Sequence, residues 1–223
     1  MKHLRTMKFS SSVFCAMALT FLSSSTLLAQ GDEFILSKLS SEAKAYGSIE
    51  ATYVSHMVDK VSEFEAKQEG KIFIDGEKYY LDLGDYTIIC DGVTIWTYET
   101  SVNDCYVDDV EAMADEGLNP SKLFTLWEDD FKHELKEPTE INNRNVTHVN
   151  LYPNQGEEKP FHTIQLFIDE AKMEMVRAVV KGREGTDVTY DVTSFKPRAQ
   201  VSPEKFTFEA NDFPGVSIID NRL

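Results

Sequence analysis

Between Ile49 and Ile219 most of the chain is built from short segments in which apolar and polar residues alternate, the period expected of half-buried β-strands. The clearest is Ile88-Ile89-Cys90-Asp91-Gly92-Val93-Thr94-Ile95-Trp96-Thr97-Tyr98. Its two apolar arms flank an Asp-Gly pair, and both residues tolerate the positive φ of a tight hairpin turn. On the second arm Trp96 and Tyr98 fall on one face, which needs a cover. Upstream, Ile49, Ala51 and Tyr53, then Ile72 and Ile74, then Tyr79, Leu81 and Leu83 alternate with polar or outward residues, and Asp75-Gly76 and Gly84-Asp85 mark turns. A third strand of the meander is expected at 105–107, and further strands at 131–135, 146–152, 161–168, 175–180, 187–195, 206–208 and 216–219.

Helical spacing interrupts this pattern. Asp32 is placed to cap a helix in which Phe34, Ile35, Leu39, Ala43 and Tyr46 recur before Gly47 ends it. Residues 108–116 are acidic with helical propensity, and Asn119-Pro120 opens a short helix that places Leu123, Leu126 and Trp127 on one face. The fold expected is mainly β with helices (α+β): an unclosed, strongly curved antiparallel half-barrel with an N-terminal helix and short inserted helices. A sheet of about ten strands tends to curl, and curling around the helices gives an apolar concave side. Trp96, Tyr98 and Trp127 are expected to share that one apolar space. Strand aromatics more often fill a protein's own core than meet a guest, so the rings alone favour simple packing.

Residues 1–29 open with Lys2, Arg5 and Lys8, continue through an acid-free apolar run containing Cys15, and end at Leu27-Leu28-Ala29, the layout of a secretory signal peptide. Cleavage after Ala29 leaves residues 30–223, the length of a single domain. It also moves the formal charge from 22 − 38 = −16 to 19 − 38 = −19. Such a charge repels phosphate backbones and anionic lipid surfaces, which excludes nucleic acid as a partner, and it suits plain solubility or basic patches on proteins. Cys90 and Cys105 remain. In a three-stranded meander they lie two strands apart, about 9.5 Å by strand spacing and beyond the ~7 Å reach of a disulfide, so two free thiols are expected.

Catalytic chemistry is hard to find. His56, His133, His148 and His162 are scattered without zinc-ligand spacing, there is no Gly-x-Ser-x-Gly elbow, and Gly182-Arg183-Glu184-Gly185 reads as a hairpin turn. Asp104, Asp108, Asp109 and Glu111 lack the oxygen-ligand spacing of a calcium loop and read as a solvated face. Neither an enzyme, a metal nor a cofactor is expected.

Asp91-Gly92, Trp96 and Tyr98, then Asn119-Pro120-Ser121-Lys122-Leu123, then Phe206, Phe208, Pro214-Gly215-Val216, Asp220 and Arg222 resemble, in order and spacing, the periplasmic outer-membrane lipoprotein carriers of the LolA family. The resemblance spans nearly all of the chain after residue 29. It implies an unclosed β-barrel with a helical lid over a cavity that shelters lipoprotein acyl chains crossing the periplasm. It implies an ABC-type release complex in the inner membrane and an outer-membrane receptor as partners, with the protein itself a monomer. Ile49, Tyr53, Ile72, Ile74, Tyr79, Leu81, Trp96, Tyr98, Leu123, Leu126 and Trp127 are the residues expected to meet the acyl chains.

The chain departs from the family at one point. The best-known family members carry an Arg-Pro pair after the strand that here ends at Ile74, the arginine tying barrel to lid, whereas this chain has Asp75-Gly76-Glu77-Lys78. A lysine lacks the planar fork of an arginine. The alternatives are a lipid-sensing periplasmic regulatory module, expected to carry a further domain after the barrel, and a carrier of another acylated lipid.

Overall fold

The computed structural model describes residues 25–112, 120–128, 131–154 and 159–222, with side chains from residue 33 onward. The expected export segment, with Cys15, lies outside the described residues except for the backbone of 25–29, and so do residues 113–116 of the acidic stretch. Helix α1 runs Ser25–Tyr46, so Asp32 sits within it and not at its start. Leu27, Leu28, Ala29 and Gln30 are good helix formers and extend the helix upstream. Its buried face is Ile35, Leu36, Leu39 and Ser40, a stripe at i, i+1, i+4 and i+5 that leaves Phe34 67% exposed, contrary to expectation. Gly47, with φ +71°, ends it.

Two antiparallel meanders follow. The first is β1 (Ser48–Asp59), β2 (Phe64–Asp75), β3 (Lys78–Asp82), β4 (Tyr86–Cys90), β5 (Thr94–Glu99) and β6 (Asp104–Asp109). The second is β7 (Phe131–Leu135), β8 (Thr139–Ile141), β9 (Arg144–Pro153), β10 (Phe161–Asp169), β11 (Glu174–Gly182) and β12 (Thr186–Pro197). Long strands β1 and β12 pair along their whole length and join the two meanders into one curved, unclosed sheet. A last strand, β13 (Ser217–Asp220), adds in parallel to β6, so β13 and β7 are the two ends of the sheet among the described residues. Asp108 and Asp109 belong to β6 and not to a helix. Residues 206–208 are not a strand either. Pro203, which has no N–H to give a ladder, starts a 3-10 turn (Pro203–Phe206), and Phe206 and Phe208 are buried as anchors.

The Asp91-Gly92 hairpin forms with a different turn chemistry. Only Gly92 has positive φ (+98°), and the carboxylate of Asp91 accepts the N–H groups of Val93 (2.9 Å) and Thr94 (2.8 Å). A three-residue loop needs one left-handed position, and the aspartate does the rest as an Asx turn.

Inner and outer faces carry separate cores. On the concave side Ile49, Ala51, Ile72, Ile74, Tyr79, Cys90 and Ile95 join Ile164, Leu166, Met175 and Ala178 under α1. On the convex side Ile89, Cys105 and Val107 pack with Trp96, Tyr98, Phe208, Phe213 and Val216. The shared space expected for Trp96, Tyr98 and Trp127 is therefore wrong. Ile95 takes the inward position in the pleat, so Trp96 and Tyr98 point outward, where Tyr98 meets the ring of Phe213 at 4.5 Å, while Trp127 lies in the inner core. The chain after β12 is the cover that this ring pair required.

Cys90 and Cys105 are both free and buried. The registers Cys90↔Ile95 and Tyr98↔Cys105 set them two strands apart, as expected, and on opposite faces as well. Burial raises the Cys105 thiol from the usual 9.0 to about 11. A raised thiol pKa means that between about 9 and about 11 the unfolded chain releases a proton that the folded one retains, so this contribution to stability is complete below pH 9 and fades as pH climbs through 11. A maleimide added to the folded protein at pH 8 should label neither cysteine, and both should react once the protein is denatured without reductant. Labelling of the folded state would contradict their burial.

Candidate functional site: an apolar cavity under a short lid

The segment between β6 and β7 links the two meanders. Its described part holds two single-turn 3-10 helices, Pro120–Lys122 and Leu126–Glu128, where the sequence predicted one short helix. Pro120 starts the first as expected of a proline at N1, and Leu123 N–H and Thr125 N–H close turns onto Pro120 O (3.2 Å) and Lys122 O (2.9 Å). The first turn lies against β2 and β3, the second against β7.

The lid is fastened mainly to α1. Trp127 is 5% exposed and its indole N–H donates to Leu36 O at 3.1 Å. Ser40 Oγ donates to Phe124 O at 3.3 Å, and Lys44 Nζ meets Glu128 Oε1 at 2.6 Å. Lys44 also holds the Glu128 carboxyl below its ordinary range. The first two bonds are buried and carry the attachment, whereas the exposed ion pair contributes little. Toward the barrel, Ser121 Oγ donates to Glu77 Oε2 at 3.4 Å, in the Asp75-Gly76-Glu77-Lys78 hairpin.

Beneath the lid lies a cavity of about 650 Å³. Its floor comes from the first meander (Ala51, Tyr53, Ile72, Leu81, Leu83) and from the second (Phe161, Ile164, Leu166, Met175, Ala178, Val180, Tyr190, Val192, Phe195). Phe131 and the lid residues Pro120, Leu123, Phe124, Thr125 and Leu126 close it, and Lys122 and Lys159 complete the lining. Tyr53 and Tyr190 form an edge-to-face pair with centroids 5.6 Å apart. Burial pushes both phenols up, so they remain neutral polar groups inside an apolar wall.

One local feature shapes the floor. Tyr53 stands opposite Gly70 across β1 and β2, and a Cβ at residue 70 would lie 2.3 Å from Tyr53 Cζ. The glycine gives the tyrosine ring room to lie flat across the neighbouring strand, next to a β-bulge between Thr52 and Tyr53.

Of the residues expected to meet acyl chains, Tyr53, Ile72, Leu81, Leu123 and Leu126 line the cavity. Ile49, Ile74, Tyr79 and Trp127 belong to the same inner core beside it, outside the lining. Trp96 and Tyr98 lie on the convex face. The wall from the second meander was missed, although the same alternation runs through 161–168, 175–180 and 187–195 and would have pointed to it once their inward face was set.

An unclosed half-barrel with an apolar cavity beneath a bridging lid defines a binding protein for a hydrophobic ligand. The sequence model of the outer membrane lipoprotein carrier protein LolA matches residues 84–209, or 126 of 223 residues. The chain belongs to the LolA family of lipoprotein and lipid carriers. Among solved structures it is similar to an uncharacterized conserved protein of Thermus thermophilus (TM-score 0.57, 12% identity), covering 86% of this chain and 100% of that one, which agrees with the fold. It is less similar to a LolA superfamily protein of Nitrosomonas europaea (TM-score 0.43, 11% identity, 81% and 98% covered). The lipoprotein LppX of Mycobacterium tuberculosis is at a comparable distance (TM-score 0.45, 12% identity, 77% and 100% covered). No curated protein matches the sequence.

Two substitutions separate wall from core. Trp127→Ala should destabilise the protein by roughly 3–5 kcal/mol, the range for emptying a buried aromatic site, as read by denaturant unfolding. Gly70→Ala should cost about 1–3 kcal/mol through displacement of the Tyr53 ring, with a change in near-ultraviolet circular dichroism. An unchanged midpoint in the first variant would show that Trp127 does not fasten the lid.

Proposed function

We propose that the protein is an exported carrier that shelters the acyl chains of lipoproteins in the cavity and moves them from the inner to the outer membrane. It acts as a monomer, with residues 1–29 as export signal and residues 30–223 as one carrier domain. It receives cargo from an ABC-type release complex in the inner membrane and hands it to an outer-membrane receptor where one exists. The cavity of about 650 Å³ carries this reading, because it is walled by aliphatic and aromatic side chains from both meanders and the lid. Membership of the LolA family supports it. The described residues offer no group of three or more His, Cys, Asp or Glu that could hold a metal, and no helix long and apolar enough to cross a membrane.

The energetics suit carriage. Removing an acyl chain of about 16 carbons from water is worth on the order of 12 kcal/mol gross at ~0.8 kcal/mol per methylene, enough to keep cargo out of solution. A half-open cavity recovers only part of that, which lets cargo leave again. A carrier of another acylated lipid is the second reading, favoured by the Asp75-Gly76-Glu77-Lys78 hairpin, which contains no arginine and meets the lid through the Ser121–Glu77 hydrogen bond.

Leu126→Glu places a carboxylate in the wall, where it must stay hydrated or meet several kcal/mol of desolvation. Leu126 is half-buried and lines the cavity, so the variant should bind a fluorescent fatty-acyl probe at least about tenfold more weakly, with little change in melting temperature. Unchanged probe affinity in a folded variant would remove the cavity from the function. Mass spectrometry of lipids that co-purify with the protein from its own cells would identify the cargo class.

A further inference from the structure

The chain has 38 acidic and 22 basic residues, yet the described residues that line the cavity include no carboxylate and two lysines, Lys122 and Lys159. This reversal of sign occurs at the one place where the protein receives an apolar guest. Lys122 is exposed at the end of the first lid turn, and Lys159 is half-buried at the entry to β10. Their backbones are pinned. Lys122 O accepts Thr125 N–H at 2.9 Å, and Lys159 O accepts Arg183 Nε–H at 3.1 Å while Pro160 O accepts Arg183 N–H at 3.0 Å. Neither lysine has an ion-pair partner among the described residues, whereas Lys44, Lys60, Lys71, Lys136, Lys181 and Lys196 each pair with a carboxylate. A lysine that lies along an apolar wall keeps its ammonium toward water, which puts both charges at the mouth.

We propose that the ligand is an amphiphile with an anionic head, carboxylate or phosphate, whose acyl chain enters the cavity and whose head is held at the mouth by Lys122 and Lys159. This rests on the acyl-binding reading above and takes its second form, a carrier of another acylated lipid. The neutral phenols of Tyr53 and Tyr190 sit among the apolar wall and add no charge to oppose it.

Displacement of a fluorescent acyl probe by palmitate, hexadecyl phosphate and hexadecanol tests this. The wild type should bind the two anions roughly five- to twenty-fold more tightly than the alcohol at low salt, with the preference shrinking as salt rises. In Lys122→Gln/Lys159→Gln the preference for the anions over hexadecanol should vanish. Palmitate and hexadecyl phosphate together separate a general anion site from one fitted to a carboxylate or a phosphate. Inorganic phosphate alone should not displace the probe, because it brings no chain. Equal binding of acid and alcohol by the wild type, or a preference that survives in the double variant, overturns the proposal and leaves the acyl-binding cavity standing. Failure of all three amphiphiles to displace the probe, or of the probe to bind, overturns both.

Discussion

A sheet that curves without closing has an apolar inner face that no strand covers, and the rest of this molecule is arranged around that face. Sheet residues on the concave side come from both meanders, and β1 and β12 hold the two halves in fixed register. Helix α1 covers one part of the face and the segment between the meanders crosses another. Between lid and sheet a part of the face is left unfilled, and that space is the cavity. A void of this kind forfeits contacts that a packed core would have, so the same deficit that lowers stability supplies the driving force for a guest.

The pleat sorts aromatic rings into two roles. Inward positions on β1, β10 and β12 supply Tyr53, Phe161, Tyr190 and Phe195 to the cavity wall. Outward positions on β5 supply Trp96 and Tyr98 to a second core, closed by Phe208 and Phe213, whose rings stack 4.5 Å apart. Trp127 has a third role: it anchors lid to helix through Leu36 O, so lid and helix form one attached cover over the sheet.

Most of the fold was legible from alternation and turn residues. The meander through the Asp91-Gly92 hairpin, the strands of the second half, the N-terminal helix and the lid segment all lie where the pattern places them. Side-chain direction was legible only in part. Alternation shows that Trp96 and Tyr98 share a face but not which face, because Ile95 and Cys90 on the other side are equally apolar, and a strand buried on both faces carries no polar mark of inside and outside. The same ambiguity hid the contribution of β10–β12 to the cavity. Residues 206–208 were misread as a strand for a different reason: the backbone turns at Pro203, and Phe206 and Phe208 are spaced for burial as anchors, with no local period to reveal it.

The parallel pairing of β13 with β6 has a consequence for self-association. β6 would otherwise end the sheet as an open edge, with Cys105 and Val107 beside the rings of Trp96 and Tyr98 on its convex side. Ser217–Asp220 fills that edge, Asn221 N–H donates to Val107 O at 2.9 Å, and Arg222 clasps Asp220 at 2.7 Å, leaving charge at the margin. A chain cut before Phe213 would expose both the ladder groups of β6 and an aromatic patch, the two features by which sheet proteins stick to copies of themselves. This short parallel strand is thus a guard against polymerisation as well as a piece of the core.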